Sequence, residues 1–569
     1  MPAIFGDHMV LQRGIPVPVW GWADPNEKVT VTAGETSATA TTGTDGKWRV
    51  ALDKLTASDK PISVAVAGKN TVTISDVLVG DVWVCSGQSN MEFNLGGRLL
   101  MLSASESAAK GIPDAWTASL ASPWFGGAHD AATEVPKADH PTLRLFIVKR
   151  KIAYDPQEDC TGAWVACTPA TAARFSAVGY FFGRDILDQE HVPVGMIGSY
   201  WGGTAAESWT SLDGLKSEPS LAQQVKNTEN TKAHIAEYQQ TFLNELLPAW
   251  QKDHDAWEQE VNKPYQEVLA TWRADAAKAK AAGASPSPSP TPARPEPRKP
   301  ISPYENAGVP TVLTNGMIAP IVPYAIKGAI WYQGEANAGH AKQYETVFPT
   351  LIRDWRTRWG EGDFPFIWVQ LANFMERTPD PTQTSDGWPG LRDAQTKTLS
   401  LPNTGQAVII DIGADRDIHP KDKSDVGQRL ALAARHVAYG EDLVYSGPTY
   451  DSIQVEGAAA RVKFKNVGTG LIIGAAPSTV AGAPAEPAAA ELKGFSIAGE
   501  DQVFYWAKAS IDGDGVVVSC PEVKEPKAVR YGWANNPEVN LYNKEGLPAC
   551  PFRTDDWVKA QPTSTPRPR

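Results

Sequence analysis

Cysteine is scarce, with five in 569 residues, which excludes a disulfide-dense scaffold. Cys160 with Cys167, and Cys520 with Cys550, are near enough in sequence to pair in an oxidising compartment, and buried free thiols explain them equally well. Neither pair has metal-ligand spacing. No apolar run approaches the roughly 18 residues of a membrane helix, so the chain reads as a soluble globular protein without a membrane partner. Positive charge is in deficit: 53 Lys and Arg against 65 Asp and Glu leave a net charge of -12. That argues against nucleic acid as a partner, because phosphate binding needs clustered cations. The N-terminus carries neither a basic segment nor a long apolar one, so no secretory signal is visible. Internal repeats are absent.

Length and tryptophan are plentiful. A chain of 569 residues exceeds what one hydrophobic core serves and predicts two to four domains. Twenty Trp suit stacking on sugar rings, although most tryptophans are core or interface residues. From Val17 to Ile74 short β-like runs alternate with turn residues, which predicts an N-terminal β-sandwich over 1–77. From about residue 78 the strands become solid apolar runs, each followed by a polar or Gly-rich turn and a helical stretch. This is the pattern of parallel strands covered on both faces. Five are predicted, at 82–85, 194–197, 329–332, 366–369 and 407–410. The α/β region divides into 78–213 and 304–442 around an insertion at 214–303. That insertion reads as helices followed by a Pro-rich tract from Ser285, an extended and poorly ordered linker. Further β-like runs after Tyr445 predict a second β-sandwich over 443–569.

In an open α/β sheet, ligands bind beyond the carboxyl ends of the strands, so the residues after each run carry the functional argument. Ser89, in Gly87-Gln88-Ser89-Asn90-Met91, follows the first run and opens a helical stretch whose free N–H groups favour a developing oxyanion. The segment is not Gly-x-Ser-x-Gly, which excludes the α/β-hydrolase elbow; a helix cap is the structural alternative. After the second run, Gly202-Gly203 lets a backbone N–H approach an acyl oxygen, with Gly203 the first candidate and a tight turn the alternative. After the third, Gln333 and Asn337 compete as amide donors to the oxyanion, while Glu335 offers a carboxylate to a sugar hydroxyl or an active-site group. After the fifth, His419 stands on a loop as a general base for Ser89, held by Asp417, before a helix capped by Ser424. His340 is a second, weaker base candidate. The case rests on the conjunction, since each strand end presents one part of an acyl-transfer site.

The residues that make this case also carry a resemblance. Met9-Val-Leu-Gln-Arg13, Asp81-Val-Trp-Val-Cys-Ser-Gly-Gln-Ser-Asn-Met91, Trp201-Gly-Gly-Thr204, Gly328-Ala-Ile-Trp-Tyr-Gln-Gly-Glu335, Asp417-Ile-His-Pro420 and Asn540-Leu-Tyr-Asn-Lys-Glu-Gly-Leu-Pro548 resemble the sialate O-acetylesterase family within the SGNH hydrolases. The resemblance implies an SGNH-type, flavodoxin-like three-layer α/β sandwich with a parallel sheet, flanked by N- and C-terminal β-sandwich domains. It also implies Ser89 as nucleophile, His419 as base, and an oxyanion hole from Ser89 N–H, a second-strand glycine and a third-strand amide. No metal or other cofactor is implied. Two departures from the wider SGNH pattern stand out. Arg416 replaces the usual Asp three residues before the histidine, and the Gly-x-Asn-Asp block reads Gly334-Glu-Ala-Asn337. The acid that orients His419 is therefore open among Asp417, Asp415 and Glu335, with Asp417 preferred.

The expected substrate is an acetylated sugar or glycan, first of all an O-acetylated sialic acid, for whose carboxylate Arg392 is a candidate cation. An acetylxylan or other polysaccharide acetylesterase is the competing enzyme reading. A non-catalytic glycan-binding protein is the reading from another class, and it has no need of an activated serine. Family habit and the two cysteine pairs favour a secreted or periplasmic location, against the missing leader.

Overall fold

The computed structural model describes residues 1–97, 112, 127–285, 287–381, 387–474 and 491–557. The chain divides into two compact units, Met1–Val225 with Pro310–Arg569, and Lys226–Val309.

Seven strands of the first unit build the sheet that carries the site: β1 Thr71–Gly87, β2 His140–Ile147, β3 Trp164–Cys167, β4 Val194–Tyr200, β5 Gly328–Tyr332, β6 Phe366–Val369 and β7 Thr404–Ala407. Their order is β7-β6-β5-β1-β4-β2-β3. Every neighbouring pair is parallel except β2 with β3. Five helices matter to the site: α1 Ser89–Glu92, α2 Ala177–Glu190, α3 Ala341–Trp359, α4 Trp388–Lys397 and α5 Lys423–Tyr439.

Alternation along the strands sends successive side chains to opposite faces. Trp83 of β1 meets Phe182 of α2 and Tyr439 of α5. Trp331 of β5, in register with Ser86, turns the other way onto Phe348 and Trp355 of α3. With both faces covered, the strands read as solid apolar runs rather than alternating ones, which is why the sequence exposes them.

β1 is 17 residues long, and the expected boundary at 77/78 falls inside it. Its first half pairs antiparallel with Ser58–Ala67, and its second half is the centre of the parallel sheet. The Gln12-Arg13 pair of the N-terminal segment is hooked onto this strand at Asp81. That buried carboxylate accepts from Gln12 Nε2 at 3.0 Å, Arg13 Nε at 2.9 Å, Arg13 Nη2 at 2.8 Å and Tyr439 Oη at 3.0 Å. Four donors offset the desolvation of a fully buried charge.

Two differences from the sequence reading have local causes. β2 is not among the five predicted strands because Pro141 and Arg144 interrupt its apolar pattern. Arg144 is tolerated there because its guanidinium pairs with Asp76 at 2.6 Å and donates to Pro141 O at 2.8 Å. The last strand lies at Thr404–Ala407 rather than 407–410, since Val408 and Ile410 have left the sheet to pack around Cys550. An apolar run reports burial, and only pairing makes it a strand.

The C-terminal part of the first unit holds two four-stranded sheets. Val462, Phe464, Val516 and Val518 of one share a buried core with Phe495, Ile497, Val529, Tyr531 and Phe552 of the other. All five cysteines are free and buried, so the pairs Cys160/Cys167 and Cys520/Cys550 are not disulfides. Cys550 Sγ instead sits against Gln370 Nε2 at 3.3 Å and Thr396 Oγ1 at 3.4 Å. Among the described residues no helix is long and apolar enough to cross a membrane.

In the second unit, helices Leu247–Trp257 and Lys263–Ala281 follow one another through a π turn. The Pro-rich tract, expected to be a poorly ordered linker, is laid along them. Trp250 Nε1 donates to Pro297 O at 2.9 Å, Trp257 Nε1 to Arg294 O at 3.0 Å and Trp272 Nε1 to Ser287 O at 3.0 Å. An extended Pro-rich backbone makes no hydrogen bonds of its own, so its carbonyls are free to accept from indoles spaced along a helix.

Candidate active site

β1 ends at Gly87, where the chain turns sharply into α1 and presents Ser89 half-buried beyond the sheet. The turn is held by Gln88, whose N–H donates to Tyr332 O at 3.0 Å and whose Oε1 accepts from Ala336 N at 3.1 Å. His419 reaches the same place from the loop between β7 and α5. Its Nε2 lies 2.9 Å from Ser89 Oγ across 330 residues of sequence. Burial lowers the His419 pKa from its ordinary value, and the nearby Lys423 ammonium lowers it further, against an opposing pull from Asp417. A neutral imidazole beside a serine hydroxyl can accept its proton.

Of the three candidate acids, Asp417 is the one beside the imidazole. Its Oδ1 accepts the His419 backbone N–H at 2.9 Å and lies 3.5 Å from Nδ1. Asp415 lies 3.7 Å from Arg416 at the surface, and Glu335 Oε1 accepts from Asn90 Nδ2 at 2.5 Å. The Asp417 side chain is 49% exposed, so water competes for it. Asp417→Asn is accordingly expected to cost only about tenfold in kcat/KM, well below the roughly ten-thousandfold loss for a buried orienting acid. Steady-state kinetics on a soluble acetyl ester checks this.

Of the glycines after β4, Gly202 packs against the serine. A Cβ on Gly202 would stand 3.1 Å from Ser89 Cβ. Gly202 N–H is already spent on Glu92 Oε2 at 2.7 Å, whereas among the described residues the N–H groups of Gly203 and Ser89 have no acceptor. Gly203 takes φ +74°, a left-handed turn that glycine adopts without strain. Free N–H groups at the serine and in the adjoining glycine turn are the kind of donor an oxyanion requires.

The amides after β5 divide unequally. Gln333 has no exposed surface, donates both Nε2 hydrogens, to Thr204 O at 3.1 Å and Asn337 Oδ1 at 2.7 Å, and accepts from Tyr344 Oη at 2.9 Å. Its donors are consumed by the fold. Asn337 gives one Nδ2 hydrogen to Glu207 Oε2 at 2.9 Å and retains the other. Glu335 has one oxygen on Asn90 and the other buried without a partner, and burial raises its pKa.

Arg392, expected as a carboxylate-binding cation, is corrected by its surroundings. It is 1% exposed and donates to four backbone carbonyls, Leu371 O, Ala372 O, Ala534 O and Asn535 O, at 2.7–2.9 Å. With no carboxylate beside it, burial draws its pKa down to about 9. It ties α4 to two loops, and at this burial it presents no surface to a substrate. His340 is exposed at the start of α3, and α5 is capped by Asp422 rather than Ser424.

Four residues escaped the sequence reading. Glu92 fixes the Gly202 turn and pairs with Arg150, whose guanidinium lies 5.2 Å over the Trp201 ring. Asn90 and Lys423 form a buried contact behind the serine at 2.6 Å. Asn90 lay next to Ser89 in plain view, while a lysine in a helical stretch reads as a solvated residue.

Comparison with known proteins shows the family. A family model described as "Carbohydrate esterase, sialic acid-specific acetylesterase" matches residues 314–436. Sialate O-acetylesterase of Mus musculus is 30% identical over 79% of this chain and 75% of its own length. The Homo sapiens protein of the same name is 27% identical over 79% of this chain and 72% of its own. Among solved structures, a carbohydrate acetylesterase from Xanthomonas citri is 35% identical, with a TM-score of 0.72 over 98% of this chain and 99% of that one. Similarity of this extent makes the chain a member of the sialate O-acetylesterase family of carboxylic ester hydrolases.

Proposed function

We propose that this protein removes O-acetyl groups from sugars by a serine acyl-enzyme mechanism of the SGNH type, with an O-acetylated sialic acid as substrate. The observation that carries the reading is the 2.9 Å contact between Ser89 Oγ and His419 Nε2 beyond the carboxyl end of the central strand. Ser89 Oγ attacks the acetyl carbonyl while His419 Nε2 takes its proton. The resulting oxyanion is met by the N–H groups of Ser89 and Gly203 and by the remaining Nδ2 hydrogen of Asn337. Collapse breaks the ester bond, and His419 returns the proton to the departing sugar oxygen. Water, deprotonated by the same imidazole, then attacks the acetyl-serine and releases acetate. Asp417 holds the ring and the loop that carries it.

The relatives' names support sialic acid as the sugar. Arg392 no longer supports it, and the half-buried Arg150 beside Trp201, which also pairs with Glu92, is the candidate cation for a sugar carboxylate in its place. The test is acetate release from 9-O-acetylated sialic acid and from acetylated xylan. Faster turnover of the sialic acid ester is expected; activity on xylan acetate alone would replace sialic acid by a neutral glycan. Chain length gives an independent check, since a site shaped for acetyl discriminates against longer acids. 4-nitrophenyl octanoate is expected to react at least about tenfold more slowly than the acetate, and equal rates would count against an acetyl site.

A further inference from the structure

A lysine with no exposed surface needs a structural reason, because taking an ammonium out of water is costly. Lys423, the first residue of α5, is such a residue. Its Nζ donates to Asn90 Oδ1 at 2.6 Å and lies 4.8 Å above the ring of Phe93 and 5.2 Å above that of Tyr332. Asn90 is itself buried and spends Nδ2 on Glu335 Oε1 at 2.5 Å and on Ile418 O at 3.0 Å. Asn90 directly follows Ser89, and Ile418 directly precedes His419. One amide therefore joins the turn that carries the hydroxyl to the loop that carries the imidazole. An ammonium can only donate, so it fixes which end of the amide faces it and leaves Nδ2 for the two acceptors.

We propose that Lys423 is a positioning residue for the Ser89–His419 pair, acting through Asn90. The proposal rests on the esterase reading above and assigns Lys423 no contact with substrate. Its second consequence is electrostatic. His419 is faced by Lys423 from α5 and by Asp417 from its own loop; Lys423 is faced by Glu335 after β5, by Asp417, and by Asp422 at the start of its helix. Burial draws the Lys423 pKa down to about 7. The ammonium is thus present at the acidic pH where His419 would take a second proton, and it opposes that proton. Without it, the imidazole protonates at higher pH.

The experiment compares the full chain with Lys423→Met, Lys423→Arg, Asn90→Ala and Ser89→Ala on 4-nitrophenyl acetate, from about pH 4 to about pH 9. In Lys423→Met, kcat is expected to fall about tenfold or more with KM within about twofold, because geometry rather than ground-state binding is lost. The acidic limb of kcat/KM is expected to move up by about half a pH unit or more, and to stay in place in Lys423→Arg, which keeps the charge. A limb that does not move in Lys423→Met overturns the proposal even if kcat falls, since a merely structural lysine would do the same. Should that variant fail to fold, Asn90→Ala decides: a loss of about tenfold or more supports the proposal, and a kcat within about twofold of the parent overturns it. Ser89→Ala separates the two levels. Activity surviving in that variant removes the esterase reading and this proposal with it, whereas an inactive Ser89→Ala beside an unmoved limb removes only the proposal.

Discussion

Ser89→Ala is expected to lower kcat/KM on an acetyl ester by about a thousandfold or more, His419→Ala to do the same, and the double variant to be no worse than either. In the proposed mechanism the hydroxyl and the imidazole act as one unit across their 2.9 Å contact, and removing one leaves the other without its partner. The residual rate would come from the two free N–H groups at Ser89 and Gly203, which the substitutions leave in place. The reaction also needs a neutral imidazole. Because burial and Lys423 both lower the His419 pKa, the acidic limb of kcat/KM is expected below about pH 6.5, the ordinary histidine value. A pH profile on the parent enzyme checks the sign. A Ser89→Ala variant within tenfold of the parent would mean that another group performs the attack.

Gly87→Ala is expected to be the most damaging single-methyl change near the site. Gly87 has φ +138°, which a side chain disfavours, and a Cβ there would overlap the backbone carbonyl of Tyr332 on the neighbouring strand. Relief requires β1 and β5 to part at their carboxyl ends, where Gln88 N–H also binds Tyr332 O. Strained backbone plus overpacking predicts a loss of about 3 kcal/mol or more in denaturant unfolding. Ser89 lies two residues further on, so a shift of about 1 Å at the turn also costs about a hundredfold in kcat. Gly203→Ala makes the contrast. Its φ is positive too, but a Cβ there meets nothing within 4 Å, so about 1 kcal/mol is expected. Similar effects from the two substitutions would show that the neighbouring carbonyl, and not φ alone, had been given too much weight.

How much of this could be read beforehand differs from residue to residue. Ser89, Gly203, Asn337 and His419 could be picked out as candidates because each follows a solid apolar run, and the ends of parallel strands converge by topology. Gln333 and Arg392 carry the same chemical groups as site residues, yet their hydrogen bonds are consumed by Thr204, Asn337 and Tyr344 in one case and by four backbone carbonyls in the other. Sequence names a donor but does not say who receives from it. The Pro-rich tract shows the same limit: its composition predicts an extended backbone, while its docking depends on three indoles whose spacing matters only once a helix has formed.

The sequence by itself determined the covered parallel sheet, the candidates Ser89 and His419 and the family, because periodicity and ordered local motifs are properties of the chain as written. Only the tertiary structure decided which carboxylate faces His419, which of the two glycines keeps a free N–H, and that a helix lysine is buried behind the serine turn and the histidine loop. Those are matters of distance and desolvation between residues hundreds of positions apart, and they exist only when the sheet has brought β1, β4, β5 and the β7–α5 loop to one edge.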